Sequence, residues 1–340
     1  MTTTAGSTPR RASMREVAAI AGVSTQTVSR VAHGVEHVEE ATRQAVLDAM
    51  KQVGYRPNLA ARLLRSGRAW TIGVILFDMD RFGNLMALEG IGAAALPRGY
   101  SLTLVPIARD DTGAMPGAIE RLLGQGVDGI IAIVEHTVFD MALDTLPANF
   151  PVVILDTTAR SGFSRVDNDQ AQGAHLATEH LLSLGHETVW HITGPEDSAA
   201  SDVRERAWRS TLIAAGRVVH APFRGDWSAA SGYRIGLDIV ARPEITAVFA
   251  ANDQTALGVL RAANENGRRV PDALSVVGFD DMVESASFSP PLTTVHQDVQ
   301  EVGRRAVNIL LGKIEDPAAR RVVQLVKTRL VLRQSAAPPR

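Results

Sequence analysis

The sequence predicts a small all-α domain at the N-terminus, followed by an α/β body made of two doubly wound parallel-sheet lobes. With 340 residues, 45% of them hydrophobic, the chain is too long for one small domain and can bury a large core. Its charge is divided unevenly, since residues 1–68 hold ten basic and five acidic side chains while the whole chain has a net charge of −2. From residue 71 onward, short apolar runs alternate with helical stretches, a pattern typical of parallel sheets covered on both faces.

The N-terminal segment has the pattern of a helix, a tight turn and a second helix. Ser13 and Glu16 have the spacing of a capping box, which predicts a helix from about residue 14 to residue 21. Gly22 can adopt the left-handed conformation that ends a helix, and Ser24 can cap a second helix running to about residue 32. A third helix, from about residue 39 to residue 53 and ended by Gly54, is expected to pack beneath this pair.

The second predicted helix has one apolar and one polar face. Val28 and Val31 fall on the apolar side, and the polar side is formed by Thr25, Gln26, Ser29 and Arg30. Taken alone, such a face is an ordinary solvated surface. Its hydroxyl, amide and guanidinium groups are, however, those that pair with base edges in a major groove, and the basic domain around it suits phosphates. Together these features predict sequence-specific binding of double-stranded DNA.

A short helix-capable stretch follows Tyr55 and begins at Pro57, and it is too short to be stable alone. Leu63 and Leu64 could pack in a core, or one of them could insert between base steps of a minor groove when two chains pair. We expect a disordered tail over 1–12, a helix-turn-helix headpiece over 13–56 and a hinge over 57–69.

Apolar runs suited to buried strands recur along the body. They lie at 71–77, 102–106, 129–134 and 152–156 and, after a break near 157–164, at 189–193, 247–251 and 274–279. Because helical stretches separate them, we expect two doubly wound lobes with a crevice between. The predicted boundaries are about 70–158 and 290–318 for lobe 1, 159–289 and 319–334 for lobe 2, and 335–340 for a tail.

Polar side chains directly follow three of the predicted strands. Asp156, Asn252 and Asp280 occupy these positions, and ligands of such sheets bind outside the carboxyl ends of the strands. Each alone could be a helix cap or turn former, but together they face one crevice. Arg204 and Trp227 add a guanidinium and an indole, which can lie against a sugar ring, although they could also be a solvated residue and a packing anchor. The set predicts a carbohydrate pocket.

Motifs for other functions are weak. Gly90-Ile-Gly satisfies a dinucleotide fingerprint formally but lies inside a helical stretch, where it indicates close helix packing. The histidines form no zinc motif, and no nucleophile elbow occurs, so we expect no enzyme activity, metal or cofactor. The chain has no export signal and no apolar run long enough for a membrane helix, which favours a cytoplasmic protein located with the nucleoid.

Two groups of motifs resemble the lactose-repressor (LacI/GalR) family of bacterial transcriptional regulators. The first comprises Arg15-Glu-Val-Ala-Ala-Ile-Ala-Gly-Val-Ser-Thr-Gln-Thr-Val-Ser-Arg30 and Gly54-Tyr-Arg-Pro-Asn58. The second comprises Ala251-Asn-Asp-Gln-Thr-Ala-Leu-Gly258, Val276-Val-Gly-Phe-Asp-Asp281 and Pro290-Pro-Leu-Thr-Thr294. The resemblance implies a body like the periplasmic binding proteins. It also implies a DNA-binding set of Thr25, Gln26, Ser29, Arg30, Asn58, Ala61 and Leu64, and an effector-binding set of Phe77, Asp156, Arg204, Trp227, Asn252, Asp280 and Gln297.

The resemblance implies a homodimeric repressor that a small sugar releases from a palindromic operator. A purine or a phosphorylated partner protein is an alternative effector, and a transport-type sugar receptor is the alternative from a different class. Such a receptor would need an export signal and would not need a base-reading helix. Since no heptad helix follows Leu332, we expect dimers and no tetramer.

Overall fold

The computed structural model describes residues 12–32, 38–55, 67–77, 79, 82–108, 111–133, 145–155 and 162–340. The chain divides into two compact units, Met1–Ala69 and Trp70–Arg340. The described helices are α1 (Met14–Ala21), α2 (Thr25–Ala32), α3 (Glu40–Val53), α4 (Phe82–Ala95), α5 (Met115–Gly124), α6 (Gln170–Ser183), α7 (Ala199–Ala214), α8 (Ala229–Val240), α9 (Asp253–Glu265) and α10 (Val299–Glu315).

The described strands belong to the larger unit. They are β1 (Thr71–Phe77), β2 (Ser101–Ile107), β3 (Gly129–Ile133), β4 (Val152–Ile154), β5 (Ser164–Asn168), β6 (Trp190–Thr193), β7 (Phe223–Arg224), β8 (Ala247–Ala250), β9 (Ser275–Asp280), β10 (Thr293–His296), β11 (Val323–Val326) and β12 (Arg329–Val331). No described helix has the length and apolar character needed to cross a membrane.

The described part of the smaller unit contains three helices, whose ends are set by the predicted residues. Ser13 Oγ accepts from the backbone N–H of Glu16, and the Glu16 carboxylate accepts from the backbone N–H of Ser13, so the capping box is complete. Gly22 and Gly54 end α1 and α3 with φ of 65° and 64°, which an L side chain adopts only at a cost. Val17, Val28 and Val46, all fully buried, join the three helices in one core.

Lobe 1 is built on a sheet in the order β11-β5-β4-β3-β1-β2, in which each described neighbouring pair is parallel. Alternate residues of a strand point to opposite faces, so β1 contributes Val74 and Leu76 to one core and Ile75 to another. Helices α4 and α10 cover the first face and α5 covers the second. Because both faces are covered, the central strands are almost entirely apolar.

Lobe 2 repeats this architecture with the order β12-β10-β9-β8-β6-β7. Its described pairs are parallel except that β12 runs antiparallel to β10 at the edge. Helices α6 and α7 cover one face, where Trp208 is fully buried, and α8 and α9 cover the other. The two doubly wound lobes are therefore confirmed, with one antiparallel edge strand that the sequence did not indicate.

The chain passes between the lobes at three places, and these correct the predicted lobe boundaries. The crossings follow β5, β10 and β11, so β5 belongs to lobe 1 and β10 to lobe 2. We expected lobe 1 to stop near residue 158 and to resume near residue 290. The polar strand Ser164–Asn168 extends it, because β5 pairs with both β4 and β11 and is not part of a loop.

The segment predicted as a tail, 335–340, is bonded to strands of lobe 2. Ser335 is fully buried; its Oγ accepts from the backbone N–H of Thr293 at 2.8 Å and donates to the carbonyl of Val276 at 2.6 Å. The backbone N–H of Val276 in turn donates to the carbonyl of Ser335 at 2.8 Å. These bonds satisfy backbone groups of β9 and β10, which is why the segment is ordered.

The Gly90-Ile-Gly segment lies in α4 and packs against α10, as interpreted from the sequence. A Cβ placed on Gly90 would lie 2.2 Å from the backbone oxygen of Gln300, and one on Gly303 would lie 2.4 Å from that of Ala87. Reciprocal glycines therefore let the two helix backbones approach closely. The segment has no relation to a dinucleotide site.

Candidate functional site

The polar face of α2 is presented to solvent in the headpiece. Thr25, Gln26 and Arg30 are exposed and Ser29 is half-buried, whereas Val28 on the opposite face is fully buried. Ser24 caps the helix by accepting from the backbone N–H of Thr27 at 3.1 Å, and its hydroxyl also bonds the Thr27 hydroxyl. The cap uses Thr27 and leaves the neighbouring exposed side chains available for external partners. The predicted readers Asn58, Ala61 and Leu64 lie outside the described residues, as does the predicted effector residue Asp156.

A cavity of about 820 Å³ lies between the two lobes of the body. Five of the predicted effector residues line it: Arg204, Trp227, Asn252, Asp280 and Gln297. Its volume falls within the range of small-molecule sites in proteins, roughly 300–1,000 Å³. The structure thus brings together residues that are up to 93 positions apart in the sequence, from Arg204 to Gln297.

The structure corrects the expectation for Phe77. This side chain is only 7% exposed and packs in the core cluster beneath α5 with Met115 and Ile119, so it does not line the cavity. The alternation of a β-strand explains the result, because consecutive side chains of β1 face opposite sides of the sheet. The lobe 1 wall is formed instead by later residues, among them Phe82 and Asn84 at the start of α4.

Arg204 is the most heavily engaged of the predicted residues. It is 4% exposed; its Nε donates to Gln170 Oε1 at 2.8 Å, and its Nη1 donates to the carbonyl of Ala251. The same Nη1 lies 3.9 Å from Asp280 Oδ1, and the guanidinium lies 3.7 Å from the ring centre of Phe279. The alternative that Arg204 is a solvated helix residue does not hold, because buried partners surround its charge.

Gln170 and Gln297 link the floor of the cleft across the interlobe crossings. Gln170 Nε2 donates to Gln297 Oε1 at 3.0 Å and to Asp167 Oδ1 of lobe 1 at 3.2 Å. Gln297 Nε2 donates to Asp280 Oδ1 of lobe 2 at 2.6 Å. A continuous hydrogen-bonded chain therefore joins the ends of strands from both lobes. Sequence reasoning missed Gln170, whose only signal was its position directly after a polar strand that was itself unrecognised.

Asn252 and Trp227 form one unit. Asn252 Oδ1 accepts from the backbone N–H of Thr255 and caps α9, which is the helix-cap role considered above. Its Nδ2 also donates to the carbonyl of Trp227 at 3.0 Å. This bond helps to hold Trp227 in a left-handed conformation, with φ of 73°. The indole lies directly over Gly194, where a Cβ would come within 2.3 Å of the ring. Trp227 Nε1 is buried and makes no hydrogen bond with the part of the chain that the structure describes.

Asp253, the residue after Asn252, holds the loop around Met282, which lines the cavity. Asp253 is fully buried and accepts from the backbone N–H of Met282 at 2.9 Å, from Ser285 Oγ at 2.6 Å and from Thr294 Oγ1 at 2.5 Å. Burial disfavours the ionised form and raises the pKa of Asp253 to about 6, although these hydrogen bonds act in the opposite direction. Met282, which lines the cavity, is therefore positioned by a buried carboxyl group.

An exposed polar recognition helix, joined in one chain to a two-lobed body with a ligand-sized cleft, defines a ligand-responsive DNA-binding regulator. Residues 13–58 match the model for bacterial regulatory proteins of the lacI family, and residues 178–336 match the model for the periplasmic binding protein-like domain. The chain belongs to the lacI family of bacterial regulatory proteins.

Several curated relatives cover nearly the whole chain. The lactose operon repressor of Escherichia coli (strain K12) is 33% identical over 328 residues, which is 95% of this chain and 90% of that protein. The transcriptional regulator CelR of Thermobifida fusca is 33% identical over 96% of this chain and 98% of its own length. The repressor PurR of Haemophilus influenzae (strain PittEE) is 32% identical over 89% of this chain and 91% of its own length.

Solved structures agree with these relatives. The lac repressor dimer bound to operator and the anti-inducer ONPF is similar with a TM-score of 0.86 and 32% identity, over 96% of this chain and all of that one. A complex of CelR with cellobiose is similar with a TM-score of 0.71 and 31% identity over the same shares. All of the relatives named are transcriptional regulators, so this chain is a transcriptional repressor of the lacI family and not an enzyme or a transport receptor.

Proposed function

We propose that this repressor binds a two-fold symmetric operator as a homodimer and that a small sugar in the interlobe cleft releases it. The observation that carries the sugar proposal is the composition of the cleft wall. The Trp227 indole stands among the side chains of Asn252, Asp280 and Gln297. An aromatic face suits the apolar face of a pyranose, and amides and carboxylates suit its hydroxyls.

The headpiece supplies the DNA-binding part of the proposal. Thr25, Gln26 and Arg30 project from the exposed face of α2, with Ser29 beside them, where they can contact base edges in a major groove. By resemblance to the family, Asn58, Ala61 and Leu64 contact the operator from the hinge. The similar lac repressor structure is a dimer bound to operator, which supports a symmetric arrangement of two half-sites. Because the target is chromosomal DNA, the proposed site of action is the bacterial cytoplasm.

The release mechanism follows from the fact that both lobes contribute to the cleft. A sugar that contacts lobe 1 at Asn84 and lobe 2 at Trp227 changes the relative stability of lobe arrangements. The Asp167–Gln170–Gln297–Asp280 chain joins lobe 1 to lobe 2 at the crossings and gives such a change a physical path. Coupling of about 1–3 kcal/mol would alter operator affinity roughly 5- to 150-fold. A similar solved structure is a complex of CelR with cellobiose, which supports a sugar as the ligand of this chain.

The test has two stages and uses the full-length protein. In vitro selection from random duplex DNA is expected to recover an inverted repeat, and fluorescence anisotropy then measures its affinity. A panel of free sugars, with hypoxanthine and guanine in a parallel arm, is added to the complex. Release by a sugar supports the proposal, whereas release by a purine alone overturns its sugar component. Recovery of a single half-site, or of no sequence preference, would contradict the dimeric operator-binding component.

A further inference from the structure

The strand at one end of the lobe 1 sheet has an open outer edge. Among the described strands, β11 is terminal in its sheet and pairs with β5 alone. The carbonyls of Val322 and Val326 each accept, at 2.8 Å, from a backbone N–H of β5 or of the residue that follows it. Because neighbouring residues of a strand direct their backbone groups to opposite sides, those of Val323 and Leu325 point outward. They form a template to which another extended chain can pair.

One face of this strand exposes apolar side chains. Val323 is 51% exposed and Leu325 is 46% exposed, while Val326, which points to the other face, is 5% exposed and packs in the core with α10. The alternation is that of a β-strand with one buried and one open face. Single exposed apolar residues are common on protein surfaces, but these two stand side by side on a strand with an open edge.

Cations stand on either side of the two apolar side chains. Arg321 precedes the pair at the exposed positions of the segment, and Lys327 and Arg329 follow it. All three are exposed, and none of them forms an ion pair within the part of the chain that the structure describes. Residues 320–333 hold five basic side chains and no acidic one, in a chain whose net charge is −2. We call the exposed side chains of this segment the edge strip: Arg321, Val323, Leu325, Lys327 and Arg329.

The edge strip continues across a passage between the lobes. Val323 and Leu325 belong to lobe 1, whereas Arg329 begins β12 of lobe 2. Between them, the backbone N–H of Thr328 donates to Gln172 Oε1 at 2.9 Å and holds the crossing in place. A partner that reaches from the centre of the strip to Arg329 therefore contacts both lobes.

Charged residues on an edge strand can serve only to prevent pairing, but the arrangement here is different. Such protection places a charge within the stretch that would pair. In this strand the central positions, Val323 and Leu325, are apolar, and the cations stand outside them. Pairing with a second copy of this chain is disfavoured, because it would bring like charges together. An extended segment with apolar residues at its centre and carboxylates at its ends is favoured.

The spacing of the strip defines the pattern of such a segment. Side chains on one face of a strand recur about every 6.6 Å, so Arg321 and Lys327 are about 20 Å apart along the extended chain. A heptapeptide with glutamates at both ends and valines at its third and fifth positions places carboxylates opposite both cations. The phosphates of a nucleic acid would match the cations but would leave Val323 and Leu325 without a partner.

We infer that the edge strip is a docking site for an extended acidic segment of a partner protein, which adds to β11 as a further strand. The outward backbone groups of Val323 and Leu325 provide the pairing, and Arg321, Lys327 and Arg329 select for carboxylates. This docking does not depend on which effector the cleft binds.

Fluorescence anisotropy with the full-length protein tests the docking site, with fluorescein-labelled Glu-Thr-Val-Thr-Val-Thr-Glu as the probe. The control peptide, Val-Glu-Thr-Thr-Thr-Glu-Val, has the same composition, but its glutamates and valines fall on opposite faces. The probe is expected to bind at least about 10-fold more tightly than the control, and its affinity should fall as salt rises. Equal affinities, or no binding of the probe, would overturn the inference and leave the cations as protection against aggregation.

Backbone methylation of the probe tests the pairing itself. Methyl groups on the amide nitrogens of alternate residues remove the N–H groups from one edge of the peptide and leave those of the other edge. One of the two alternate sets should weaken binding by about 10-fold or more, since each backbone hydrogen bond contributes roughly 2- to 10-fold, and the other set should not. Equal effects of the two sets would show that the peptide binds without adding a strand, contrary to the inference.

Two substitutions locate the site on the molecule. Lys327→Gln removes a cation and Leu325→Thr removes an apolar side chain, and each is expected to weaken binding of the probe about 2- to 10-fold. Arg217→Gln and Ile213→Thr, at exposed positions of lobe 2, are the matched controls and should leave the affinity unchanged. Unchanged binding in both strip variants would place the peptide elsewhere and overturn the inference.

Two further measurements distinguish other occupants from a peptide. Random-sequence duplex DNA that competes with the probe and loses affinity in Lys327→Gln would identify a nucleic-acid surface. Concentration-dependent association in sedimentation velocity that is abolished by Leu325→Thr would identify a contact between copies of this chain. Either result overturns the inference, whereas binding of the probe with neither of them supports it.

Discussion

Helix α2, which we propose contacts DNA, and the interlobe cleft hold their predicted functional side chains in opposite surroundings. The predicted DNA-contacting residues Thr25, Gln26, Ser29 and Arg30 lie on adjacent turns of one eight-residue helix. All of them except Ser29 are exposed. The cleft residues come from separate helices, loops and strand ends, and Arg204, Asp280 and Gln297 are bonded to protein groups. If the proposal is right, substituting one of these α2 residues removes a contact with DNA, whereas substituting a cleft residue also disturbs the protein groups bonded to it. The following predictions separate these two consequences, from the largest expected effect to the smallest.

Arg204→Ala should show the largest effect, and it should be confined to the body. Removing a buried guanidinium deprives Asp280, Gln170 and the carbonyl of Ala251 of one partner each, which should lower the free energy of unfolding of the body by about 3–5 kcal/mol. Urea unfolding followed by tryptophan fluorescence measures it. Arg206→Ala, where the side chain is 64% exposed, should cost at most about 1 kcal/mol. Similar losses in both variants would contradict the buried network.

The stability of the body should depend on pH through Asp253. The pKa of this carboxyl is about 6 in the folded protein against 3.8 unfolded, so the folded state binds the proton more tightly. Stability from this group is therefore greatest below about pH 4 and declines as the pH rises to about 6, by up to roughly 3 kcal/mol at about 1.4 kcal/mol per pH unit. Asp253→Asn should flatten the slope of unfolding free energy between pH 4.5 and 6.5. An unchanged slope would disprove the assignment.

Replacement of a reader should weaken the operator complex and leave the body unaffected. Gln26→Ala or Arg30→Ala is expected to cost about 1–3 kcal/mol of operator binding and to relax the base preference at one position. Anisotropy against the selected operator and single-base variants measures both effects, and calorimetry should show unchanged effector affinity. Gln44→Ala, an exposed amide on α3, is the control. If Gln26→Ala or Arg30→Ala altered the affinity for the effector, the expectation that the headpiece and the cleft act independently would be contradicted.

The smallest effect is expected at the headpiece cap. Ser13→Ala removes the oxygen that accepts from the backbone N–H of Glu16 and should cost about 1 kcal/mol of headpiece stability. Amide hydrogen exchange in the first turn of α1 should rise, while exchange in lobe 2 stays the same. Loss of protection throughout the body would show that the two units are not independent in this respect.

The headpiece could be predicted closely because its signals are local. Ser13, Gly22 and Ser24 fix the helix ends, and the observed bounds of α1 and α2 are those expected. In the body, the apolar central strands were recognised, but β5 was not, since Ser164, Arg165 and Asp167 give it a polar sequence. Its place in the sheet depends on pairing with β11, about 150 residues later, which a local pattern does not contain.

The cleft could be predicted only in part for a similar reason. Arg204, Trp227, Asn252, Asp280 and Gln297 were found from strand ends or by resemblance. Phe77 was expected to bind the effector but its side chain packs in the core beneath α5, and Asn168 and Gln170 were missed because they end or follow the unrecognised strand. Whether a residue lines the cleft depends on which face of its strand the side chain occupies and on which distant strand pairs with it.

The late position of β11 and β12 in the chain also bears on how the protein is made. Residues 323–331 supply an edge strand to each lobe, so neither sheet is complete until the ribosome has synthesised them. The headpiece, with its own core, precedes them by more than 250 residues and can fold as soon as it emerges. During synthesis, each nascent chain therefore acquires a folded DNA-reading surface well before it acquires a cleft able to respond to a ligand.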